Sequence, residues 1–235
     1  MPNKPIELGF KFHCLANHVY IWDFHPTSNQ TGLDPVPTIE EVISTGEIVM
    51  FLANKFPKRR IWNIYLDNSY TSLPLLLELL RKRLGIRACG MVRPNSKDFP
   101  EKLTILKNAV GQLQYHFKSG IIVRDVGILL WFDNAPITIM TTIHNLKVEK
   151  SEIIRQCKRP NRKSTNAKRA LAEFGEDYQK ELQIMVAIND YNFHMGGVET
   201  TDQNRSYYDT QLTTFRTWFP ILFWAIDTIL INSYI

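Results

Sequence analysis

The hydrophobic and polar positions change period several times along the chain, and each change marks an element. Gly9-Phe10-Lys11-Phe12-His13-Cys14-Leu15 and Val19-Tyr20-Ile21-Trp22-Asp23-Phe24 are β-rich runs joined by Ala16-Asn17-His18, which predicts a hairpin over residues 9–25. The stretch from Pro26 to Pro37 holds three prolines with Ser, Asn and Gly, so it is irregular. Thr38-Ile39-Glu40-Glu41 has the form of a capping box, and Val42, Ile43, Ile48, Val49 and Leu52 follow at helical spacing. Pro57 should end that helix at or before Phe56, because proline disfavours a helical residue ahead of it. Ile61 to Leu66 is a short buried strand with Asp67-Asn68 at its C-terminal end. Ser72 then caps a helix with Pro74 in its first turn, and Ile86 to Val92 is a further strand. A strand–helix–strand order after a hairpin and a helix predicts a mixed α/β sheet. Functional groups in such sheets gather at the carboxyl ends of strands, where Asp67 stands.

The texture changes from Arg93 to about Ile188. Asn95-Ser96-Lys97-Asp98 is a turn, and residues 113–146 are β-rich, with runs at 114–117, 121–123, 128–132 and 137–143. Lys147, Lys150, Arg155, Lys158, Arg159, Arg162, Lys163, Lys168 and Arg169 follow, opposed only by Glu149 and Glu152. Two readings of this basic segment stand side by side. It is a solvated, partly disordered linker, or an arm that tracks phosphates on DNA and binds in a salt-dependent way.

At 235 residues the chain has room for one large domain or two small ones. Its formal charge of +5 and pI near 9.0 lean towards an anionic partner. Cys14, Cys89 and Cys157 are far apart, which argues against a disulfide scaffold or a CxxC zinc site and fits a reducing compartment. No secretory pattern precedes the first charged residues. The longest apolar stretch, Trp218 to Ile235, is interrupted by Pro220, Asp227, Asn232 and Ser233, so it predicts a buried helix and no membrane span. It reaches the end of the chain without a glycine or polar cap, as expected of a fragment.

The stretch with the most chemistry is Tyr191-Asn192-Phe193-His194-Met195-Gly196-Gly197-Val198-Glu199-Thr200-Thr201-Asp202-Gln203. Paired glycines allow a sharp turn or a close approach. If the chain then becomes helical, Glu199 and Asp202 lie on one face, one turn apart, where they can be offered to a hard cation. The plainer reading is a loop feeding a helix whose first turn is acidic because the helix dipole favours anions there. His13, Cys14 and His18 invite zinc, but in a hairpin they read as side chains on alternating faces. Tyr207, Tyr208, Trp218 and Trp224 invite base stacking, yet their helical, apolar context reads as core packing.

With these residues placed, the chain resembles the core of a piggyBac-type transposase, in collinear order over nearly its whole length. Pro2-Asn3-Lys4-Pro5 with Gly9-Phe10-Lys11 resembles the family's "P-x-K-P…G-x-K" entry, and Tyr20 to Phe24 its second strand. Tyr65-Leu66-Asp67-Asn68-Ser69-Tyr70-Thr71-Ser72 resembles "x-x-D-N-F/W-[YF]-T-S", whose aspartate is the second catalytic acid. Gly90-Met91-Val92-Arg93 and Phe99-Pro100 match "G-T-V-R…F-P", and Tyr191 to Gln203 matches "Y-N-x-x-M-G-G-V-D-x-x-D-Q". Arg205-Ser206-Tyr207-Tyr208 with Arg216 and Trp218 resembles the continuation.

The resemblance implies an α/β, ribonuclease-H-like mixed sheet with flanking helices, incomplete at the N-terminus. The core would occupy residues 1–93 and 189–235, around a β-rich insertion over 94–188 that carries the basic segment 147–169. It implies phosphodiester cleavage and strand transfer with Mg²⁺ or Mn²⁺, two ions about 3.5–4 Å apart held by converging carboxylates. Asp67 and Glu199 are the implied catalytic residues, and Asp67, Glu199 and Asp202 the implied metal ligands. Asp202 reads equally as a cap that orients the turn, Asp23 as a strand-edge residue, and His194 as a packing or turn residue. Lys158, Arg159, Arg162, Lys163, Lys168 and Arg169 are the implied DNA contacts, to transposon ends or non-specifically. Nuclear localisation and a homodimer are further expectations.

The departures bear on activity. The family's first aspartate belongs upstream of the "P-x-K-P" entry, where this sequence opens, and its third acid is Glu199 here. The added methylene moves the carboxylate by on the order of an ångström, a displacement that can cost about 10²-fold in rate. Leu212 and Thr213 stand in the family's "T-Q-R-K-T" region, and its C-terminal cysteine-rich module has no counterpart. Two expectations follow: a transposase-derived chain impaired in cleavage, or a non-catalytic DNA- or protein-binding module domesticated from a transposon.

Overall fold

A computed structural model of the chain describes residues 10–27, 44–57, 60–82, 85–93, 95–96, 98–109, 117–132, 135–146, 152–161, 167–212, 216 and 218–235. The described residues fall into two compact units, drawn from segments 1–38, 47–56 and 194–235 and from segments 39–46 and 57–193.

The first unit is organised by the hairpin of β1 (Phe12–Asn17) and β2 (Tyr20–Pro26). Its turn places His18 at φ 53°, a left-handed conformation that His, with Asn and Asp, adopts more readily than other non-glycine residues. Helix α1 (Ser44–Ala53) buries Val49, Met50, Leu52 and Ala53 and stops three residues short of Phe56. The capping box expected at Thr38–Glu41 lies outside the described residues. The unit's other helices, α6 and α7, are set out below with the residues they carry.

The second unit is built on a five-stranded sheet ordered β3-β4-β7-β6-β5. Strands β3 (Trp62–Leu66) and β4 (Ile86–Met91) run parallel, joined by α2 (Leu73–Lys82), in the order that the sequence pattern predicts. Leu75, Leu76 and Leu79 of α2 are fully buried, so the helix covers its sheet with one leucine face. Ser72 caps it, accepting the Leu75 N–H at 3.4 Å. The turn after Val92 is present, with the Ser96 N–H donating to Arg93 O at 2.9 Å. Helix α3 (Glu101–Asn108) was not expected; Pro100 opens it and Leu103 is its buried anchor. Strands β5 (Lys118–Val123), β6 (Val126–Phe132) and β7 (Pro136–Thr141) realise the last three runs of the β-rich region and extend the same sheet antiparallel, while residues 114–116 of its first run lie outside the described residues. Every residue of β6 is buried, as its unbroken apolar run requires.

Where the basic segment is described, its reading as a linker is corrected by the structure. Glu152–Lys158 is β8, and it pairs along its whole length with β9 (Gln179–Met185). Ala167–Phe174 is helix α4 between them. Charged side chains on the open faces of a two-stranded ribbon stay solvated, so a basic run need not be a linker. Residues 147–151 and 162–166 lie outside the described residues.

Helix α5 (Val186–His194) follows β9 directly, which corrects the expected loop ahead of the double glycine. Ala187, Ile188 and Tyr191 are its buried side chains, so apolar packing sets the element where the sequence suggested only a turn.

Candidate functional site

In the second unit, Asp67 follows β3 at its carboxyl end, as expected from the sequence. The side chain is exposed, and its carboxylate accepts the Ser69 hydroxyl at 3.2 Å. The backbone beneath it is tightly held. The Asp67 carbonyl accepts the Thr71 hydroxyl at 3.0 Å and the Tyr70 and Thr71 N–H groups at 3.1 and 3.2 Å.

Glu199 and Asp202 belong to α6 (Gly197–Tyr207) in the first unit, and both are exposed. Glu199 stands in the first turn, where the helix dipole stabilises a carboxylate. Asp202 accepts from the Arg205 guanidinium at 2.9 Å, and that guanidinium also lies 5.6 Å from the Trp224 ring centre. The double glycine works by close approach. Gly196 has an ordinary φ of −82°, whereas a Cβ on Gly197 would strike the His18 carbonyl oxygen and come within 3.3 Å of Ala16 Cβ. Thr201, one turn further on and buried, donates to Val19 O at 2.6 Å. The packing of α6 on the hairpin turn is therefore fixed by a glycine and a threonine of the same motif.

The other candidates have plainer surroundings. Asp23 forms an ion pair with Lys55 and accepts the Phe24 N–H at 2.9 Å. His13 shares a 2.8 Å hydrogen bond with Thr27. Burial, with Asp202 nearby, pushes the Cys14 thiol up to about 11. His194 ends α5, exposed, with its ring 6.5 Å from that of His18.

Helix α7 (Phe219–Tyr234) buries only Asp227, Thr228 and Ile231 fully. The expected buried helix is thus corrected: Leu222, Ile226, Ile229 and Leu230 are exposed, and Pro220 initiates the helix. Core packing holds for Trp224, stacked on Phe12 at 4.3 Å, but not for Tyr207, Tyr208 or Trp218, which are exposed.

Lys158 ends β8, exposed. Arg159 donates to the carbonyls of Gly175 and Glu176 at 3.3 and 3.2 Å, closing the end of the ribbon below α4. Lys168 and Arg169 lie on α4, and Arg162 and Lys163 are outside the described residues.

A partly buried polar chain in the second unit had no sequence signal. His144 shares a 2.9 Å bond with the Thr141 hydroxyl and a 3.0 Å bond with Asp190. Burial, with Asp190 adding to it, pushes the Cys89 thiol up to about 12 against the opposing Thr141 hydrogen bond. Burial and then the Asp190 charge likewise push Tyr65 up to about 12. Thr141 is fully buried, and the chain ties α5 to β7.

Among the described residues, no three His, Cys, Asp or Glu side chains gather as a metal site. Asp67 and Glu199 are nevertheless exposed carboxylates of the type a hard cation takes. No helix of the described residues is long and apolar enough to cross a membrane.

The family model described as Transposase IS4 matches residues 1–234. The chain belongs to this transposase family. Within it, the chain is of the piggyBac-derived type. It is 24% identical, over 98% of its length, to the human PiggyBac transposable element-derived protein 3, and 22% identical to the human PiggyBac transposable element-derived protein 2. The chain spans 36% of the length of each of these relatives. A solved piggyBac transposase synaptic complex with hairpin DNA has the same fold, with a TM-score of 0.69 at 21% identity over 100% of this chain and 42% of that one. The mixed sheet is therefore ribonuclease-H-like, as the resemblance implied.

Proposed function

We propose that this 235-residue transposase-derived chain retains DNA affinity and a weak divalent-cation site at Asp67 but does not cleave DNA as it stands. The observation that supports this reading is the state of the carboxylates. Asp67 is presented at a strand end, Glu199 stands where the family resemblance has an aspartate, and Asp202 is occupied by Arg205. Two-ion phosphodiester chemistry needs several carboxylates converging on Mg²⁺ or Mn²⁺, and one exposed aspartate holds such an ion only loosely. DNA is the partner in this reading, contacted by Lys158, Arg159, Arg162, Lys163, Lys168 and Arg169. Nuclear localisation and homodimer formation belong to the same proposal.

Incubating the purified chain with nicked or hairpin DNA and Mn²⁺, beside an Asp67→Ala control, tests it. The expected outcome is binding without strand cleavage in either protein. Cleavage by the parent chain that the control lacks would show a working nuclease and end the proposal.

A further inference from the structure

A neighbouring turn and two segments distant in sequence meet at the two peptide units that flank the Cα of Asp67. From the first, Thr71 puts its hydroxyl 3.0 Å from the Asp67 carbonyl and 3.5 Å from the Leu66 carbonyl. From the second, Gly90 lies opposite Leu66 in the parallel register of β3 and β4. A Cβ at Gly90 would run into the Thr71 hydroxyl and come within 2.9 Å of the Leu66 carbonyl oxygen. From the third, the Tyr191 hydroxyl donates to the Leu66 carbonyl at 3.3 Å. Thr71 and Tyr191 are buried at 6% and 2% exposure, whereas Asp67, whose backbone they hold, is exposed.

We infer that Thr71, Gly90 and Tyr191 are positioning residues for Asp67. They fix the peptide units on either side of its Cα, so the Cα–Cβ bond that carries the carboxylate leaves the strand end in one direction. A carboxylate on an unconstrained loop loses backbone freedom when it binds a cation, and that loss weakens binding. Here folding has already removed that freedom. The Tyr191 hydroxyl suits the role because a buried phenol needs an acceptor and the Leu66 carbonyl provides one. Gly90 suits it because only a missing Cβ leaves room for the Thr71 hydroxyl.

The inference rests on the reading of Asp67 as a cation ligand, and the experiment separates the two. The probe is Mn²⁺ titrated into the ¹⁵N-labelled chain, read as paramagnetic broadening of amide signals. The expected result is broadening centred on residues 67–70 in the parent protein and its loss in Asp67→Asn. Tyr191→Phe and Thr71→Val, with the parent's spectral dispersion, should need at least about threefold more Mn²⁺ for half-broadening. Thr71→Ser, which keeps the hydroxyl, should stay within about twofold of the parent. A purely structural role for Thr71 would shift Ser and Val variants alike, or neither. Should Tyr191→Phe not fold, the Thr71 pair decides. Broadening absent from the parent, or unchanged in Asp67→Asn, overturns both the ligand reading and the inference. Broadening abolished in Asp67→Asn but within twofold of the parent in Thr71→Val and Tyr191→Phe overturns the positioning role alone.

Discussion

If the Thr71 hydroxyl occupies the space of a Cβ at Gly90, then Gly90→Ala and Thr71→Ala must be energetically coupled. Gly90→Ala alone puts a methyl group into the Thr71 hydroxyl and within 2.9 Å of the Leu66 carbonyl oxygen, inside a buried strand. Overpacking of this kind costs about 1–3 kcal/mol. Thr71 can yield only by giving up its 3.0 Å bond to the Asp67 carbonyl, which adds about 1 kcal/mol. The expected loss is therefore about 2–4 kcal/mol. Thr71→Ala alone should cost about 1 kcal/mol, because the Asp67 carbonyl keeps the Tyr70 and Thr71 N–H donors. In the double variant the worst clash is gone, so its cost should fall short of the sum of the two singles by at least about 1 kcal/mol. It should not return to the parent value, since the approach to Leu66 remains. Urea unfolding followed by circular dichroism and tryptophan fluorescence measures this, provided that both signals give one transition. Additivity within about 0.5 kcal/mol, or a Gly90→Ala cost below that figure, would refute the packing argument.

Three further outcomes follow from burial and charge. Burial raises Cys14 to about 11 and Cys89 and Tyr65 to about 12, from ordinary values of 9.0 for the thiols and 10.0 for the phenol. Each group is neutral when protonated and ionises first in the unfolded chain, so its stabilisation is complete below about pH 9 and is lost as pH rises towards 12. Urea midpoints should accordingly hold from pH 7 to 8.5 and fall by pH 10, with a shallower fall in Cys89→Ala. Leu76→Ala removes a fully buried side chain from α2 and should cost about 2–5 kcal/mol by the same unfolding assay. DNA affinity, measured by fluorescence anisotropy across a salt series, should fall linearly on a log–log plot, and Lys158→Ala should reduce the slope by about 1. A slope indifferent to salt would remove the phosphate-contact reading of the basic segment.

What could be read from the sequence was whatever a short window determines. The order β3, α2, β4 follows from one apolar run, a capped leucine face and a second apolar run, and each signal is local. The β-rich stretch became β5, β6 and β7 for the same reason. Strand β8 escaped because its evidence lies in its partner: Glu152 faces Met185 and Lys158 faces Gln179, while Ile153 and Ile154 are too short an apolar run to stand out among the basic residues around them. Helix α3 offers a single fully buried residue, Leu103, too little for a periodic pattern. The partly buried Thr141–His144–Asp190 chain joins two segments that show nothing unusual separately.

The carboxylates show why a motif identifies a family more readily than it assigns roles within it. Asp190, Glu199 and Asp202 fall in or beside one short stretch of sequence, yet their surroundings differ. Asp190 meets an imidazole at 3.0 Å and ties α5 to β7, and Asp202 meets a guanidinium at 2.9 Å on its own helix. Either bond must be given up, or shared, before the group can serve a metal ion. Among the described residues no ion pair holds Glu199 or Asp67, and those are the two side chains that the family resemblance marks as catalytic. Spacing alone put Glu199 and Asp202 on an equal footing as ligands. Arg205, one turn beyond Asp202 and packed over Trp224, separates them physically. If that separation is real, Arg205→Ala should free Asp202 and strengthen Mn²⁺ broadening around α6, while the same substitution leaves the broadening at residues 67–70 unchanged. Broadening near α6 that stays the same in Arg205→Ala would mean that the ion pair does not govern which acid is available.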